Sequence, residues 1–548
     1  MKNRNIFSLH LYIEGLKQLR KMGIFMLLLT AFLSLLTFYD EATVIYTFFE
    51  INPMLVLTFM LVSPVLTFTL FYGFNKRNSC DFYYAIPYSR TCIYISYVLS
   101  VITWVIGIFI VILIPSMLSA IFFRYAIIIY SEMLVEFLGI IAASMLVISA
   151  ITLAISLTGK IYSNILLTGI ILFMPRMMTN LLIAFTVHKY QYLDVEKFWG
   201  LLNNKYNIVT YSIGCIFAGN KNFIHLEGVI YTFVLAIIYF ILAGICFRKR
   251  KSDIAKTTGN KPVSLVITGA LPTLICVATS QFDNIILFYI IGIIVFFIFE
   301  LTISRNLAKS LKKMPLFLIA ILISLIFDAT VDIIGNVTKA TQLEADDIDY
   351  ITLESEIKDN YLSLLYGYDD TSYYDLVSYE IKIDDDYIKE VVAKSLAVIE
   401  NTDYDMEQDY YSTPIAIHSG NEVYYRNLYY TPYADTINKS VKESEEFINK
   451  VTTLPDYSDA YIESYPAAYS EKTFSKSDIK QLYTSYLKEI NLNKTEDKID
   501  LIYNSPDHFT YDISIYFMYK GRLATIEYAN IDLERTPKTF LLFQEIIK

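Results

Sequence analysis

Residues 93–123 read IYISYVLSVITWVIGIFIVILIPSMLSAIFF, a run of 31 residues that contains no charged side chain. A helix needs about 20 apolar residues to cross the hydrocarbon core of a bilayer, which is roughly 30 Å thick. The run is therefore long enough to cross a membrane and then to extend beyond it or to bend. One such run could also be a helix buried in a soluble core, so the decision depends on the rest of the chain.

The chain contains eight more apolar runs of this kind. Nine runs in one chain favour membrane spans over buried helices of a soluble domain. The composition agrees, because 55% of the 548 residues are hydrophobic and only 18% are charged, whereas soluble proteins have about 25% charged residues. These figures exclude a disordered chain, and the net charge of −10 argues against a nucleic-acid-binding protein. The other runs are 23–39, 54–74, 133–158, 161–187, 228–247, 263–280, 284–303 and 316–335.

Charge divides the chain into two parts. Residues 1–335 carry 25 Lys and Arg against 15 Asp and Glu, whereas residues 336–548 carry 20 against 40. The second part also holds more than half of the 46 Tyr residues and none of the five Cys residues. A disulfide-stabilised domain is therefore excluded there, and no Cys or His cluster in the sequence offers a zinc site. The two parts belong to different environments and join near Gly335.

Lys and Arg in the short connections predict the orientation, because connections on the cytoplasmic side retain more of them. With the N-terminus inside and nine spans, every basic cluster falls on the inner side. The odd number of spans then places residues 336–548 outside, as an acidic, Tyr-rich extracytoplasmic domain. We therefore expect a multi-pass protein of the plasma membrane. The inner segments are 1–22, 75–92, 159–160, 248–262 and 304–315, and the outer segments are 40–53, 124–132, 188–227 and 281–283.

Residues 1–22 have the pattern of an amphipathic helix. Ile6, Leu9, Ile13 and Leu16 recur at helical spacing, with polar residues between them. This pattern predicts an interfacial helix that lies on the inner leaflet before the first span, at 23–39. A simple cytosolic lead-in is the alternative.

The inner connection 75–92 reads NKRNSCDFYYAIPYSRTC, which is polar, then aromatic, then interrupted by Pro87. Its aromatic residues offer rigid contact area and its basic residues offer steering charge, so it is suited to docking a partner protein. The alternative is an ordinary inner loop whose aromatic residues lie among the lipid headgroups.

At this connection the sequence resembles the permease subunit of the type 2 ABC exporter family. The predicted amphipathic helix at 1–22, the six core spans within 23–260, the outer loop 188–227 and the basic stretch 248–252 also resemble that family. Two features depart from it, namely three additional spans within 261–335 and the outer domain 336–548. The residues that carry the resemblance are Asn75, Lys76, Arg77, Ser79, Asp81, Phe82, Tyr83, Ile86, Pro87, Ser89 and Arg90.

The resemblance implies that 75–92 is a coupling helix against which a separate ATPase subunit sits. It also implies a dimer with a second permease, either a copy or a paralogue, and a membrane lipid environment. The chain contains no GxxxxGK[ST] phosphate-binding loop, so we expect ATP and Mg²⁺ to be bound by the partner ATPase. We expect no enzyme activity, no cofactor and no metal site in this chain itself, and no nucleic-acid partner.

Three polar residues within or near the spans are candidates for a translocation path, because a charge at the bilayer centre costs at least about 2.5–3.5 kcal/mol. Arg176 either faces such a path or, in the interpretation that we favour, lies at the outer interface. In that second case the span ends at Pro175, and 177–187 return as a re-entrant helix. Asp328 and Asp332 are four residues apart and share one helix face. They could bind a cation or an amine, although a solvated helix exit is the interpretation that we favour.

The outer domain has the pattern of an α+β fold. Strands are predicted at 377–383, 423–430, 499–503, 511–519 and 523–528, and helices at 386–401, 436–450, 477–491 and 536–547. Ser477 and Thr536 are the predicted N-caps of the last two helices. Two similar passes along the chain suggest one or two small α+β units on the membrane part.

The sequence therefore predicts a polytopic α-helical membrane protein, with six core spans plus three more and a C-terminal extracytoplasmic α+β domain. The function that we expect is that of the permease in an ATP-driven exporter of a small amphiphile, lipid or peptide. The alternative is a non-transporting membrane receptor or scaffold whose outer domain senses a ligand. An intramembrane enzyme has little support, because the spans contain few clustered His, Asp or Glu residues.

Overall fold

The computed structural model forms two compact units. Residues 1–186 and 199–334 belong to the first unit, and residues 187–198 and 335–548 belong to the second. The structure describes residues 6–35, 44–45, 53–122, 127–128, 130–190, 192–193, 207–218, 224–251, 254, 257, 261–280, 285–304, 306–340, 342–354, 377–400, 412–429, 432–451, 460–465, 475–491, 512–519, 522–526 and 536–547.

The first unit is built from helices, because its long apolar runs satisfy their backbone hydrogen bonds internally. Two short strands, β1 (Val44–Ile45) and β2 (Ile127–Ile128), pair in parallel. A π-helical turn at Thr58–Val62 leads into α2. The helices are α1 (Leu9–Leu35), α2 (Ser63–Phe71), α3 (Arg77–Ala85), α4 (Arg90–Phe122), α5 (Tyr130–Leu157), α6 (Ile161–Lys189), α7 (Ile208–Ala218), α8 (Leu226–Lys249), α9 (Lys261–Ala278), α10 (Ile285–Ser304), α11 (Leu307–Lys313) and α12 (Leu318–Val337).

Among the described residues, seven helical segments are long and apolar enough to cross a membrane, and each overlaps a predicted span. The chain therefore has the helices of a polytopic membrane protein. Two predicted spans are not among the seven. The span at 23–39 extends past the described part of α1, and the span at 263–280 corresponds to a shorter apolar helix, Pro262–Ala278. The seven segments are Thr58–Asn75, Arg90–Ile114, Met133–Leu157, Ile161–Lys189, Leu226–Lys249, Ile285–Thr302 and Leu307–Val337.

The N-terminal region differs from the prediction of an interfacial helix at 1–22 and a separate span at 23–39. Residues Leu9–Leu35 form one continuous helix, α1. Gly23 does not interrupt it, because a glycine costs a helix only about 1 kcal/mol. A Cβ atom at Gly23 would lie 2.6 Å from Cε3 of Trp104, so the glycine lets α4 approach closely.

Helices α1 and α4 run in parallel, with a constant offset in their contacts. Ser100 Oγ donates to the carbonyl oxygen of Tyr12 at 2.8 Å, and Trp104 Nε1 donates to that of Leu16 at 3.2 Å. The predicted apolar face of this region remains open, since Ile6 and Leu9 are 68% and 62% exposed. The opposite face packs against protein, and the open face is therefore available for contact with lipid.

Helix α5 lies at the centre of the first unit and packs most extensively on α8. Small residues on both helices are fully enclosed, with Ala143, Ala150 and Ala154 on α5 and Ala236 and Ala243 on α8. Small side chains allow two helix backbones to approach closely, and this packing stabilises helix pairs inside a membrane. The pair α5–α8 therefore forms a closely packed centre against which α2, α4 and α7 also pack.

The described residues of the second unit form two three-stranded antiparallel sheets, with strand orders β3-β4-β5 and β6-β7-β8. Among its described residues the order strand, helix, strand, strand, helix occurs twice. The first set is β3 (Tyr350–Leu353), α13 (Asp386–Ile399), β4 (Ser412–Ser419), β5 (Glu422–Tyr429) and α14 (Pro432–Glu443), followed by α15 (Glu445–Val451). The second set is β6 (Ala460–Tyr465), α16 (Lys476–Asn491), β7 (Asp512–Tyr519), β8 (Arg522–Ile526) and α17 (Pro537–Ile547).

The two hairpins match closely. Ser419 pairs with Glu422 in the first and Tyr519 pairs with Arg522 in the second, so each hairpin closes with two residues between the paired positions. Gly420 has a φ of 57°, the left-handed conformation that a two-residue hairpin turn requires. The described elements therefore repeat one order twice, within a single compact unit whose core contains residues of both sets.

Several predicted elements of the second unit need correction. Residues 377–383 do not form a strand; only Ile383 pairs, as an isolated bridge to Ile351. Asp385 caps α13 immediately afterwards by accepting from the backbone N–H of Ile388, which leaves little room for a strand. The predicted helix at 436–450 is divided at Ser444, whose Oγ accepts from the N–H of Phe447. The predicted strand at 499–503 lies outside the described residues.

The other predicted elements are confirmed in the described residues, with small differences at their ends. The helix predicted to start after Ser477 begins at Lys476, because Ser475 and Asp478 accept from each other's backbone N–H groups. Helix α17 begins at Pro537, as predicted. The Glu489 carboxylate accepts from the N–H of Thr539 at 2.9 Å, so α16 caps the start of α17.

Candidate functional site

The connection between the second and third predicted spans folds into a short helix. Lys76 is extended, with φ −104° and ψ 127°, and α3 follows over Arg77–Ala85. Ile86 returns to an extended conformation, as expected for a residue before a proline. Helix α4 begins three residues after Pro87, at Arg90. The segment predicted as a coupling helix therefore contains a nine-residue helix held between two turns.

One side of α3 packs into the first unit. Cys80 is fully buried, and the ring of Tyr83 stacks on Phe74 with a centroid distance of 4.9 Å. Tyr83 also meets Tyr97 edge to face at 6.1 Å. A Cβ atom at Gly73 would lie 2.8 Å from Cε2 of Tyr83, so the ring lies directly against the backbone there. Tyr83, which the sequence places in the docking surface, therefore anchors α3 instead.

The other side of α3 is open. Phe82 is 67% exposed, and Lys76, Arg77 and Asp81 are exposed beside it. An exposed aromatic ring among charged residues is the composition found where a protein partner binds. We call Lys76, Arg77, Asp81 and Phe82 the α3 face. Of the other residues of the predicted docking surface, Asn75 is buried, Pro87 is exposed, and Ser79, Ile86 and Ser89 are half-buried.

Arg90 does not belong to the α3 face. Its guanidinium lies 4.1 Å over the ring of Tyr84. Nη1 donates to the carbonyl oxygen of Arg248 at 3.2 Å and also to that of Arg250. The sequence counts Arg90 as a steering charge for a partner, whereas the structure uses it to fasten the start of α4 to the end of α8.

Arg250 continues this network. Its side chain is 1% exposed, and Nη2 donates to the carbonyl oxygen of Thr158 at 3.0 Å, in the turn between α5 and α6. Gly159 N–H donates to the carbonyl oxygen of Thr257 at 3.0 Å. Three connections predicted to lie on the inner side, 75–92, 159–160 and 248–262, are thus joined to one another.

The groups under α3 stay neutral. Burial raises the pKa of Tyr84 to about 12 and raises the pKa of the Cys80 thiol. A nucleophilic cysteine needs a lowered pKa and access to solvent, and Cys80 has neither. Cys80 therefore contributes to the packing of α3.

Arg176 does not lie where the favoured interpretation of the sequence placed it. Helix α6 continues without a break from Ile161 to Lys189 through Pro175, so residues 177–187 are not a re-entrant helix. A proline is tolerated inside a membrane helix when neighbouring groups satisfy the backbone. Arg176 is about 22 Å from the start of α6 and is 6% exposed. It is therefore an enclosed arginine in the middle of a long helix.

Asp328 and Asp332 are half-buried on one face of α12. The neighbouring Phe327 meets Phe185 of α6 edge to face at 5.9 Å, one turn before α6 ends. Arg176 is nine residues earlier on α6, so its level differs by about 14 Å along the helix. The three residues predicted for a translocation path thus lie at different levels. Asp328 is the eleventh of the 20 residues of α12, so it does not lie at the end of that helix.

A second site is a buried network of charged and polar groups within the second unit, close in the sequence to the ends of α6 and α12. Arg426 Nε donates to Glu400 Oε1 at 2.7 Å, with side chains 3% and 0% exposed. Glu400 Oε2 accepts from the N–H of Ala340 at 2.6 Å, and Arg426 Nη2 donates to the carbonyl oxygen of Thr338. The Arg426 guanidinium lies 5.4 Å from the ring centre of Tyr192. We call these five residues the junction.

The junction includes an extra strand-like contact. The N–H of Asn427 donates to the carbonyl oxygen of Tyr192 at 2.9 Å, and Leu193 forms an antiparallel bridge with Arg426. The Tyr192 hydroxyl donates to the carbonyl oxygen of Gly335 at 3.1 Å. The segment after α6, the segment after α12 and strand β5 are therefore linked directly. The only sequence signals for this network are Glu400, directly after α13, and Arg426, a single arginine in β5.

The chain was compared with models of protein families, with curated proteins and with solved structures, and none of them matches it.

Proposed function

We propose that the chain is the permease of an ATP-driven ABC exporter, working as a dimer with a second permease and with a separate ATPase that docks on the α3 face. The observation that carries this proposal is the form of α3. It is a short helix between two spans, with an exposed Phe82 and basic residues on one side and a packed Tyr83 on the other.

The network behind α3 is suited to passing on a movement. A push on the α3 face acts on Phe74 through Tyr83 and on the start of α4 through the short connection 86–89. Arg90 and Arg250 carry it to the end of α8 and to the turn between α5 and α6. Packed elements with few alternative arrangements transmit such displacements well. In this proposal ATP and Mg²⁺ bind to the partner ATPase. When the ATPase closes, the movement passes through α3 and tilts the core spans.

The junction supports the proposed topology. Tyr192 and Asn427 are hydrogen-bonded, so the segments that contain them share one side of a membrane. The chain between Leu193 and Thr338 must therefore cross an even number of times. Helices α8, α10 and α12 give three crossings, and α9 supplies the fourth. This parity favours nine spans, which would place the N-terminus and the second unit on opposite sides of the membrane. The basic connections favour the side on which the N-terminus is inside.

The second unit has a place in this mechanism. Through the junction it is fastened to the chain segments that follow α6 and α12, so these span ends cannot separate without disturbing the Glu400–Arg426 pair. We propose that the second unit gates or selects a small amphiphile, lipid or peptide as the core spans tilt. A receptor or scaffold that senses a ligand is the second candidate, because the same fastening would transmit a binding event to the spans.

The test is recovery of an ABC-type ATPase with the tagged full-length chain from its native membranes, identified by mass spectrometry. We expect recovery with wild type and at least a tenfold loss for Phe82→Ala combined with Arg77→Glu. Tyr387→Ala is the matched control, since Tyr387 is 64% exposed on α13 of the second unit. Absence of such an ATPase from the wild-type preparation, or equal recovery with the double variant, would contradict the docking site. ATPase activity that does not change when the purified subunits are combined would favour the receptor.

A further inference from the structure

An apolar groove runs along the first unit between α4 and α8, with Met145 of α5 in its lining. The cavity is about 460 Å³ in volume. Its walls are formed by Ile95, Leu99 and Ile102 from α4 and by Ile241 and Ile245 from α8. We call this cavity the inner groove. A cavity with such walls takes an apolar ligand, because any polar group placed among them would lose its hydrogen bonds.

The polar lining of the inner groove is concentrated at one end. Thr91 is the second residue of α4, and Arg248 is the next-to-last residue of α8, and both line the cavity. Arg248 is exposed, and its backbone is held in place by the hydrogen bond from Arg90 to its carbonyl oxygen. Ile102, toward the other end of the lining, is about 17 Å further along α4. The inner groove is therefore apolar along its length, with the Arg248 guanidinium and the Thr91 hydroxyl at one end.

We propose that the inner groove binds an acyl chain of an anionic phospholipid, whose phosphate is held by Arg248 and Thr91. Charge complementarity supports this occupant. A guanidinium pairs with a phosphate through two parallel hydrogen bonds, and the threonine hydroxyl donates a third. The basic stretch Arg248-Lys249-Arg250 also falls on the side that the positive-inside rule assigns to the cytoplasm, where anionic lipids give the membrane surface its negative potential.

A second copy of this chain is a poorer occupant. A symmetric contact at this groove would bring the exposed Arg248 and Lys249 of both copies toward each other, and facing charges of the same sign repel. The lipid proposal does not depend on the transport function, because it rests on the shape and charge of the groove and on the predicted orientation of the spans. Failure of the ATPase recovery experiment would leave it standing, and the reverse also holds.

The experiment uses the full-length chain in nanodiscs of phosphatidylcholine. One sample contains a trace of phosphatidylglycerol with a photoactivatable diazirine on one acyl chain, and a second contains phosphatidylcholine with the same labelled chain. After illumination the adducts are mapped by mass spectrometry. We expect adducts of the phosphatidylglycerol probe within 91–102 and 240–248, at about five times the yield of the phosphatidylcholine probe, the factor expected for one cation near an anionic headgroup.

Variants separate headgroup recognition from simple filling of the groove. Arg248→Gln should remove the fivefold preference for the anionic probe, whereas Lys249→Gln, a neighbouring cation that does not line the groove, should keep it. Ile241→Trp fills the inner groove and should reduce adducts from both probes. Thr91→Val replaces the first variant if Arg248→Gln does not fold. Equal yields from both probes on the wild-type chain, an unchanged preference in Arg248→Gln, or the absence of adducts within 91–102 and 240–248 would each overturn the proposal.

Discussion

Arg90 Nη1 donates a hydrogen bond to the carbonyl oxygen of Arg248 at 3.2 Å, and this bond joins the beginning of α4 to the end of α8. Hydrogen bonds made by a charged group contribute about 1.5–3 kcal/mol. We expect Arg90→Ala to lower the free energy of unfolding by about 2 kcal/mol, which thermal unfolding of the full chain in detergent would detect as a lower Tm. Arg90→Ala should also reduce ATPase recovery, because α3 loses its brace.

The control for this variant is Arg77→Ala. Arg77 is exposed on the α3 face, so its removal should change stability by less than about 0.5 kcal/mol and still reduce ATPase recovery. The two arginines look equivalent in the sequence. The Tm of the two variants would then show that Arg90 stabilises the fold and that Arg77 does not. An unchanged Tm for Arg90→Ala would contradict the role of Arg90 in the network.

The Glu400–Arg426 pair is almost fully enclosed, and removal of one partner leaves the other charge buried. Such a loss costs about 3–5 kcal/mol. We expect Arg426→Met and Glu400→Leu to destabilise the second unit by amounts in this range, measured as faster limited proteolysis of the full chain within 336–548. The double variant should be less destabilised than the sum of the two single variants, because neither charge remains. Additive effects would show that the two side chains do not act as a pair.

The long spans were accessible to sequence analysis because a charge-free run of 20 or more residues has few alternatives to a membrane helix. The packing of α1 on α4 was not, because it depends on Trp104 lying against Gly23, a contact between residues 81 positions apart. Nothing in the sequence around Gly23 indicates that the indole ring of a distant tryptophan packs against this glycine. The repeated element order of 336–548 was accessible in outline, since its helices and hairpins have clear periodicity.

The roles of individual side chains in the candidate site were less accessible. Arg90 lies next to aromatic and basic residues in the sequence, so it resembles the residues of the α3 face. Its partners are backbone carbonyl oxygens of residues 248 and 250, and carbonyl groups have no sequence signature. The junction was missed for the same reason, because Arg426 and Glu400 bind the backbone of Thr338 and Ala340. Sequence patterns identify surfaces, whereas long-range hydrogen bonds to backbone depend on the folded chain.

Gly335 lies against the ring of Tyr190 in the second unit. A Cβ atom at Gly335 would be 2.0 Å from Tyr190 Cε2, so Gly335→Ala forces the ring to move. We expect Gly335→Ala to lower the free energy of unfolding by about 1–3 kcal/mol, and addition of Tyr190→Ala should recover part of the loss. Gly169→Ala is the control, because no atom lies within 4 Å of a Cβ built at that residue. Equal Tm values for Gly335→Ala and Gly169→Ala in detergent would contradict the close contact.

Accessibility of single cysteines tests the orientation on which the docking site depends. In a background whose five native cysteines are replaced, we expect Asp346→Cys to react with a membrane-impermeant maleimide in intact cells. Asn78→Cys, on α3, should react only after the membrane is permeabilised. Thr257→Cys and Asp283→Cys flank α9, and only the second should react in intact cells if α9 crosses. Reaction of Asn78→Cys in intact cells would place α3 outside, where no ATPase could reach it, and identical behaviour of the α9 pair would mean that this helix does not cross.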